Sequence, residues 1–401
     1  MGFAELLWLM VWGGMFTGIY NLQSSYMFGS LLTFVQGSRA ILPLLAAYLC
    51  FIWILVTRSR YPFSGNPVGF LLYYCLIGVC SSLFLSPDKV TAFYWAIAYL
   101  SPILAMWFTL ERTDRLASLR RLLYINYGIV ILIALSLLPK TYKIYTGRLP
   151  FSRFRDLPFS LGQITVNGAG RYALIVIVLC SVRAITQKKA SRFAWLVLLV
   201  PMLVLLAQTQ SRTSLLGLAV VSMLFVFLKG IDLRFLLIAP VSTYIIWLSG
   251  VQWRVQGNID RLFLLSGRQY TWHKGLAQIK QSPVLGWGFH ADRIMLNSEH
   301  MHNSYLHAAI HAGAVGAILF LLALISFWLF VLRADLIRRV KSVRGADQAL
   351  LVESILIISF LTARSFFEST GAFYGVDLLL LVPSMSYIYE WVHEHAETSP
   401  E

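Results

Sequence analysis

Charge is scarce in this sequence, and acid is scarcest. Asp, Glu, Lys and Arg together make up 13% of the 401 residues, against roughly 25% in an ordinary soluble domain. That leaves too little charged surface to coat a water-soluble globule of this size. Cysteine is also rare. Cys50, Cys75, Cys80 and Cys180 all sit in apolar stretches with no C-x-x-C pair, which speaks against a disulfide framework or a thiolate zinc site and for small buried hydrophobes. The phosphate-cradling G-x-x-x-x-G-K-[ST] run is missing, as are H-E-x-x-H, G-x-S-x-G and the D-x-D pair that would hold a divalent metal on a sugar diphosphate. ATP hydrolysis, zincin chemistry and nucleophile-elbow chemistry are thereby excluded.

Apolar residues dominate instead, at 58%, with a mean hydropathy of +0.69. They come in blocks of about 20, the length that crosses a bilayer as a helix. The runs predict an all-α, polytopic integral membrane protein with about twelve transmembrane helices: 4–21, 40–57, 66–86, 91–110, 122–138, 170–186, 193–209, 213–229, 235–250, 304–332, 348–367 and 373–391. The first basic residue is Arg39 and no A-x-A site precedes it, so the N-terminal run reads as a retained span and not a signal peptide. The tenth run is long enough to enter its helix at an interface before crossing.

The formal net charge of +15 would suggest nucleic acid in a soluble protein. Here no basic helix or aromatic platform accompanies it, and membrane orientation explains it better. With both termini cytoplasmic, seventeen basic residues fall in short inner loops, among them Arg112, Arg115, Arg120 and Arg121 and the group Arg333 to Arg344. Short outer loops hold only Arg39, Lys89, Arg212 and Arg364. Short loops decide topology, so this orientation wins. Two longer outer segments keep a basic excess: 139–171, with Arg148, Arg153 and Arg155, and 251–303. An outward-facing anion site is one reason for the excess, and anchoring to lipid headgroups is the other. In the second segment Trp272, Leu276 and Ile279 fall on one helical face before Pro283 and PVLGWGF stop the helix. The segment reads as a folded cap on a single transmembrane domain spanning 1–401.

Four histidines cluster in HMHNSYLHAAIHAG. His307 and His311, four apart, share a helix face and suit either a transition-metal pair or packing within the bundle. The large loop offers only Asp260, Asp292 and Glu299 as carboxylates, so packing is the reading adopted and no metal ligand is assigned. His302, followed by Asn303 where loop becomes helix, sits at a water boundary where an imidazole can take a proton from a hydroxyl. Arg212, in QSRTSLLG, costs about 2.5–3.5 kcal/mol at a helix centre and less near an interface. It belongs at the end of a tight hairpin, as a phosphate clamp or a snorkelling anchor. Arg268 stands before the amphipathic helix, whose N-terminus favours an anion. Arg364 and Glu368 are spaced to pair.

QSRTSLLG, then SGRQYTWHKGLAQIKQSPVLGWGF, then HNSYLHAAIHAGAVGAILFL, in that order over about 210–325, resembles the O-antigen ligase and polymerase superfamily. The resemblance implies a GT-C-type membrane glycosyltransferase in the bacterial inner membrane, with a large, partly helical periplasmic loop before a late helix. Its donor would be O-antigen on undecaprenyl pyrophosphate and its acceptor lipid A–core. Neither cofactor nor metal is implied. Arg212 and Arg268 match the arginines expected on the pyrophosphate, and His302 the histidine expected to activate the acceptor hydroxyl. Arg148, Arg153, Arg155 and Asn303 are further binding candidates. An O-antigen polymerase and a protein O-oligosaccharyltransferase remain alternatives within the superfamily. No R-x(10)-G pattern appears in the outer segments, and little chain follows the last span; both features lean toward ligase. From another class, an anion transporter would need ionisable groups near the midplane, and Glu353 and Asp377 are the acidic residues within the late spans.

Overall fold

The structure, a computed structural model, describes residues 2–19, 29–145, 166–209, 211–229, 268–297 and 299–396. Every regular element among them is a helix. In chain order these are α1 (Phe3–Ile19), α2 (Gly29–Thr57), α3 (Val68–Phe84), α4 (Lys89–Leu110), α5 (Arg115–Tyr145), α6 (Val166–Thr186), α7 (Lys189–Thr209), α8 (Arg212–Lys229), α9 (Arg268–Gln281), α10 (Ala291–Met295), α11 (Ser304–Arg333), α12 (Leu336–Ser342), α13 (Ala346–Arg364) and α14 (Val376–Ala396). Seven of them are long and apolar enough to cross a membrane: α2, α4, α5, α6, α7, α11 and α13. Phe3–Met15, Val68–Phe84 and Arg212–Leu228 are apolar but shorter. The protein is therefore an all-α polytopic membrane protein. The expected span at 235–250, the residues Arg148, Arg153 and Arg155, and most of the 139–171 segment lie outside the described residues.

Burial sorts the helices by place. Asn167–Thr186 of α6 is 78% buried and Ala190–Thr209 of α7 only 17%. The outward faces of α2 and α7 are apolar, with Tyr48, Phe51, Val56, Phe193, Val197 and Val200 exposed. An exposed face this apolar on a spanning helix is a lipid face. Helices α6, α13 and α14 fill the interior. Of the four cysteines, Cys80 departs from expectation by lying exposed on α3 while the other three are buried.

Ion pairs and hydrogen bonds tie helix ends together and distinguish the two ends of the bundle. At one end Arg121 of α5 pairs with Glu5 of α1 and with Asp114, Arg120 with Asp347 of α13 (2.8 Å), and Arg115 with Glu390 of α14 (2.9 Å). These arginines are among those assigned to the inner loops. At the opposite end lie the starts of α6, α8 and α11 and the turn between α13 and α14, joined by contacts described below.

Two details shape that second end. Helix α11 is broken at Ala312 and Gly313, whose backbone is non-helical. The freed carbonyls of Ile310 and His311 accept N–H bonds from Trp287 and Gly288, both 2.8 Å, as backbone at membrane depth requires. Gly288 (φ +89°) packs directly on the Ser82 backbone of α3, where a side chain would collide. The loop's helix α9 packs by the expected face at Trp272 and Ile279, with Gly275 buried where Leu276 is expected. Trp272 donates to Met301 O (2.6 Å), Gly275 is buried against Met301, and Ile279 joins the cluster of Ala291, Leu296, Met301 and Ile310. Leu276 is 41% exposed. The buried stripe runs through glycine, which a count of apolar residues passes over.

Candidate functional site

The site is organised by a turn. Residues 365–375 link α13 to α14, and Ser304 at the start of α11 holds that turn in place. Its N–H donates to Ser365 O (2.9 Å), and its hydroxyl donates to Glu368 O (3.0 Å) and accepts from Thr370 N (2.6 Å). Asn303 caps α11 by accepting from the N–H groups of Tyr305 and Leu306, both 3.0 Å, and donates to Phe366 O. The residue proposed from sequence as a binding group thus commits its amide to positioning.

These constraints place Glu368 beside His302. His302 Nδ1 lies 2.9 Å from Glu368 Oε2. Glu368 Oε1 accepts from Arg268 Nη2 at 2.7 Å and from Asn167 Nδ2 at 2.6 Å. Arg268, the first residue of α9, also donates to Phe367 O. The carboxylate therefore gathers three side chains from three distant parts of the chain. Asn167 passes the connection on: its Oδ1 accepts from Ser211 Oγ at 3.1 Å, and Ser211 precedes Arg212. Arg212 is the first residue of α8 and is exposed. The three residues singled out from sequence, Arg212, Arg268 and His302, lie within one chain of hydrogen-bonded side chains and their immediate neighbours.

Electrostatics decides the protonation of this constellation. Burial alone would raise the Glu368 carboxyl. The His302 hydrogen bond and the positive charges of Arg364 and Arg268 overcome it and hold the group down at about 2. An ionised carboxylate only accepts hydrogen bonds, so the proton between the two residues sits on His302 Nδ1. Neutral His302 then carries its lone pair on Nε2, which has no partner among the described residues. The His302 side chain is 38% exposed, so that nitrogen is open to a reactant. His302 also has a left-handed backbone, φ +48°, a conformation that non-glycine residues adopt only when their surroundings enforce it.

Glu368 and Asn167 were not assigned to the site from sequence. Glu368 was paired there with Arg364, but the Arg364 guanidinium is turned to Asp377 (2.5 Å) and Thr370 (3.0 Å). The signal for Glu368 is a carboxylate just beyond the end of a span, in a chain so poor in acid. Asn167 carried no signal.

Two other acidic residues of the late helices, Asp377 and Glu353, are fully engaged. Asp377 lies between Arg171 (3.0 Å) and Arg364, and Glu353 takes two bonds from Arg183, at 2.5 and 2.9 Å.

No curated protein matches the chain. Residues 191–321, the stretch carrying Arg212, Arg268 and His302 but not Asn167 or Glu368, match the family model described as O-antigen ligase, and over that third of the chain the protein is similar to that family.

Proposed function

We propose that the protein transfers O-antigen polysaccharide from undecaprenyl pyrophosphate to a sugar hydroxyl of lipid A–core. The observation that carries this reading is the ionised Glu368 holding His302 Nδ1 while Arg268 shares the same carboxylate. His302 Nε2 takes the proton of the acceptor hydroxyl as its oxygen forms the new bond to the anomeric carbon. The bond from that carbon to the pyrophosphate oxygen breaks, and undecaprenyl pyrophosphate leaves with the electron pair. A single displacement of this kind inverts the anomeric centre. Glu368 stabilises the imidazolium that forms, as the acid of a catalytic triad does.

The leaving phosphate gains negative charge, which arginine answers with paired N–H donors. Described contacts take two of the five N–H groups of Arg268. Arg212, exposed at the head of α8, supplies a second guanidinium, and the N-terminus of that helix adds its own attraction for an anion. Arg148, Arg153 and Arg155 remain candidate contacts to the anionic lipids. No nucleotide is needed, since the carrier pyrophosphate is already the activated leaving group.

The proposed topology has twelve crossings, the ninth at 235–250. The basic end, with Arg115, Arg120 and Arg121, faces the cytoplasm together with both termini, and the His302 end faces the periplasm across the inner membrane. An anion transporter would need ionisable groups with spare capacity inside the spans, whereas Glu353 and Asp377 are held by arginines.

A gel of lipopolysaccharide from a deletion strain tests the acceptor. Loss of all O-antigen from lipid A–core, with polymer retained on its carrier, supports ligation. Core capped with a single repeat would reassign the protein to polymerisation. Unaltered ladders would remove both readings.

A further inference from the structure

A second histidine cluster lies beside His302 and takes no part in the proposed transfer. Its centre is Asp292 of α10, 1% exposed. His300 Nδ1 lies 3.1 Å from Asp292 Oδ2, and His307 Nε2 lies 3.5 Å from Oδ1. One ligand atom from each of the three residues falls within 4.8 Å of the others. His311 Nε2 is also near, at 3.7 Å, but it accepts the His290 N–H at 3.1 Å and its Nδ1 is 3.3 Å from Tyr74 Oη. His311 is thereby occupied, and the open set is Asp292, His300 and His307.

Three features of this set call for a cation. First, a carboxylate so deeply buried needs a compensating charge. Its described ion-pair partners are the imidazoles of His300, His307 and His311. Second, the Ser369 hydroxyl is 2.8 Å from His307 Nδ1. It can accept that ring N–H, which turns the Nε2 lone pair onto Asp292 Oδ1. Two acceptors then face each other at 3.5 Å, an arrangement that a cation between them relieves. A ligating histidine is normally fixed in this way by a partner on its other nitrogen. Third, a tetrahedral zinc ion with ligands at about 2.0–2.1 Å sets its donors about 3.3 Å apart. The 3.1 and 3.5 Å spacings bracket that edge. The third spacing lies within 4.8 Å, and it involves His300, the most exposed of the three at 19%.

We infer that Asp292, His300 and His307 form a binding site for a divalent transition-metal ion of the zinc class. Two imidazoles and one carboxylate suit zinc and its first-row neighbours and not the harder magnesium or calcium. In the sequence, His307 and His311 have no carboxylate beside them and predict packing without a metal. The fold supplies the carboxylate by bringing α10 against the first turns of α11. The ion joins α10, the loop at 300 and the start of α11, and so fastens the cap to the bundle next to His302, whose ring centroid is 5.1 Å from that of His300.

The test uses the full chain purified in detergent without a polyhistidine tag, stripped with a chelator and titrated with cobalt(II). One equivalent of cobalt per chain, visible ligand-field bands of a four- or five-coordinate ion, and a raised Tm are expected, with zinc displacing the cobalt. His300→Ala and Asp292→Asn should lose the bands, while His302→Ala keeps them. His300 is partly exposed, so its variant remains informative where Asp292→Asn is too unstable to purify. A monodisperse wild-type protein that takes up no cobalt, or a His300→Ala variant that binds it as wild type does, would overturn the inference.

Discussion

Two arginine–carboxylate contacts in this molecule are built from the same groups and serve opposite ends. Glu353 sits inside the bundle and takes both of its bonds from Arg183 in a side-on pair. Glu368 sits at the rim of a half-exposed site and divides its oxygens among Arg268, Asn167 and His302. The first pair is closed: each charge is the other's solvent. The second is open, because among the described residues His302 keeps a nitrogen and Arg268 keeps donors without a partner. A buried ion pair is costly to break but does little else, whereas a carboxylate that orients a histidine leaves chemistry available.

The sharpest way to break this comparison is to cut each contact in turn. His302→Ala should lower transfer to lipid A–core by about 10²–10⁴-fold, the usual contribution of a general base. Yield and thermal stability in detergent should stay near wild type, since the side chain is partly exposed. Glu353→Ala should behave in the reverse sense. It strands the Arg183 charge and costs about 3–5 kcal/mol of stability, read as a lowered Tm and poor accumulation in the membrane, with activity per folded molecule largely kept. If Glu353→Ala folded normally yet lost transfer, or His302→Ala failed to fold, the division between closed and open contacts would be wrong.

Glu368→Gln sharpens the same division with a smaller effect. An amide can still accept from His302 Nδ1 but cannot balance an imidazolium, so turnover should fall by roughly 10–100-fold with folding preserved. The pH response follows from the sign of the shift. Glu368 is held at about 2, below its ordinary value of 4.5. Its contribution to stability is therefore complete above 4.5 and is lost as the pH falls through about 2. Between those limits the wild-type Tm should decline more steeply than that of Glu368→Gln, which starts lower and lacks the titrating group. Parallel curves would show that the carboxylate is not the anchor described.

Much of this was legible in the sequence, and the remainder was hidden for definite reasons. Apolar blocks marked the helices because a bilayer demands them, and Arg212, Arg268 and His302 stood out because charge and imidazole are rare beside spans. The partners did not stand out. Glu368 is 66 residues from His302 and 100 from Arg268, and only the turn stapled by Ser304 brings them together. Asn167 is an ordinary amide at a helix start. The face of α9 was misread at Leu276 because Gly275 packs on Met301 by having no side chain, a contact that hydrophobic periodicity does not register. The break at Ala312–Gly313 looked like one long span, since a glycine in an apolar run gives no sign that a loop 25 residues earlier will satisfy the freed carbonyls.

Asn167 offers the finest test of the open contact, because it connects the two arginine-bearing segments without carrying charge. Its amide bridges Glu368 Oε1 and Ser211 Oγ, and Ser211 leads directly into Arg212 at the head of α8. Asn167→Ala removes two hydrogen bonds, worth about 1 kcal/mol each in net terms, and leaves His302 with its own bond to Glu368. If the bridge serves to place Arg212 relative to Arg268, the loss should fall on the donor: a KM for lipid-linked glycan raised by several-fold, with the response to lipid A–core unchanged. Asn167→Asp should be worse than alanine, since a second carboxylate beside Glu368 repels it and competes for Arg268. If alanine and aspartate instead lowered Tm alone, with both substrate responses intact, Asn167 would belong with Arg183 and Glu353 among the contacts that only hold helices together.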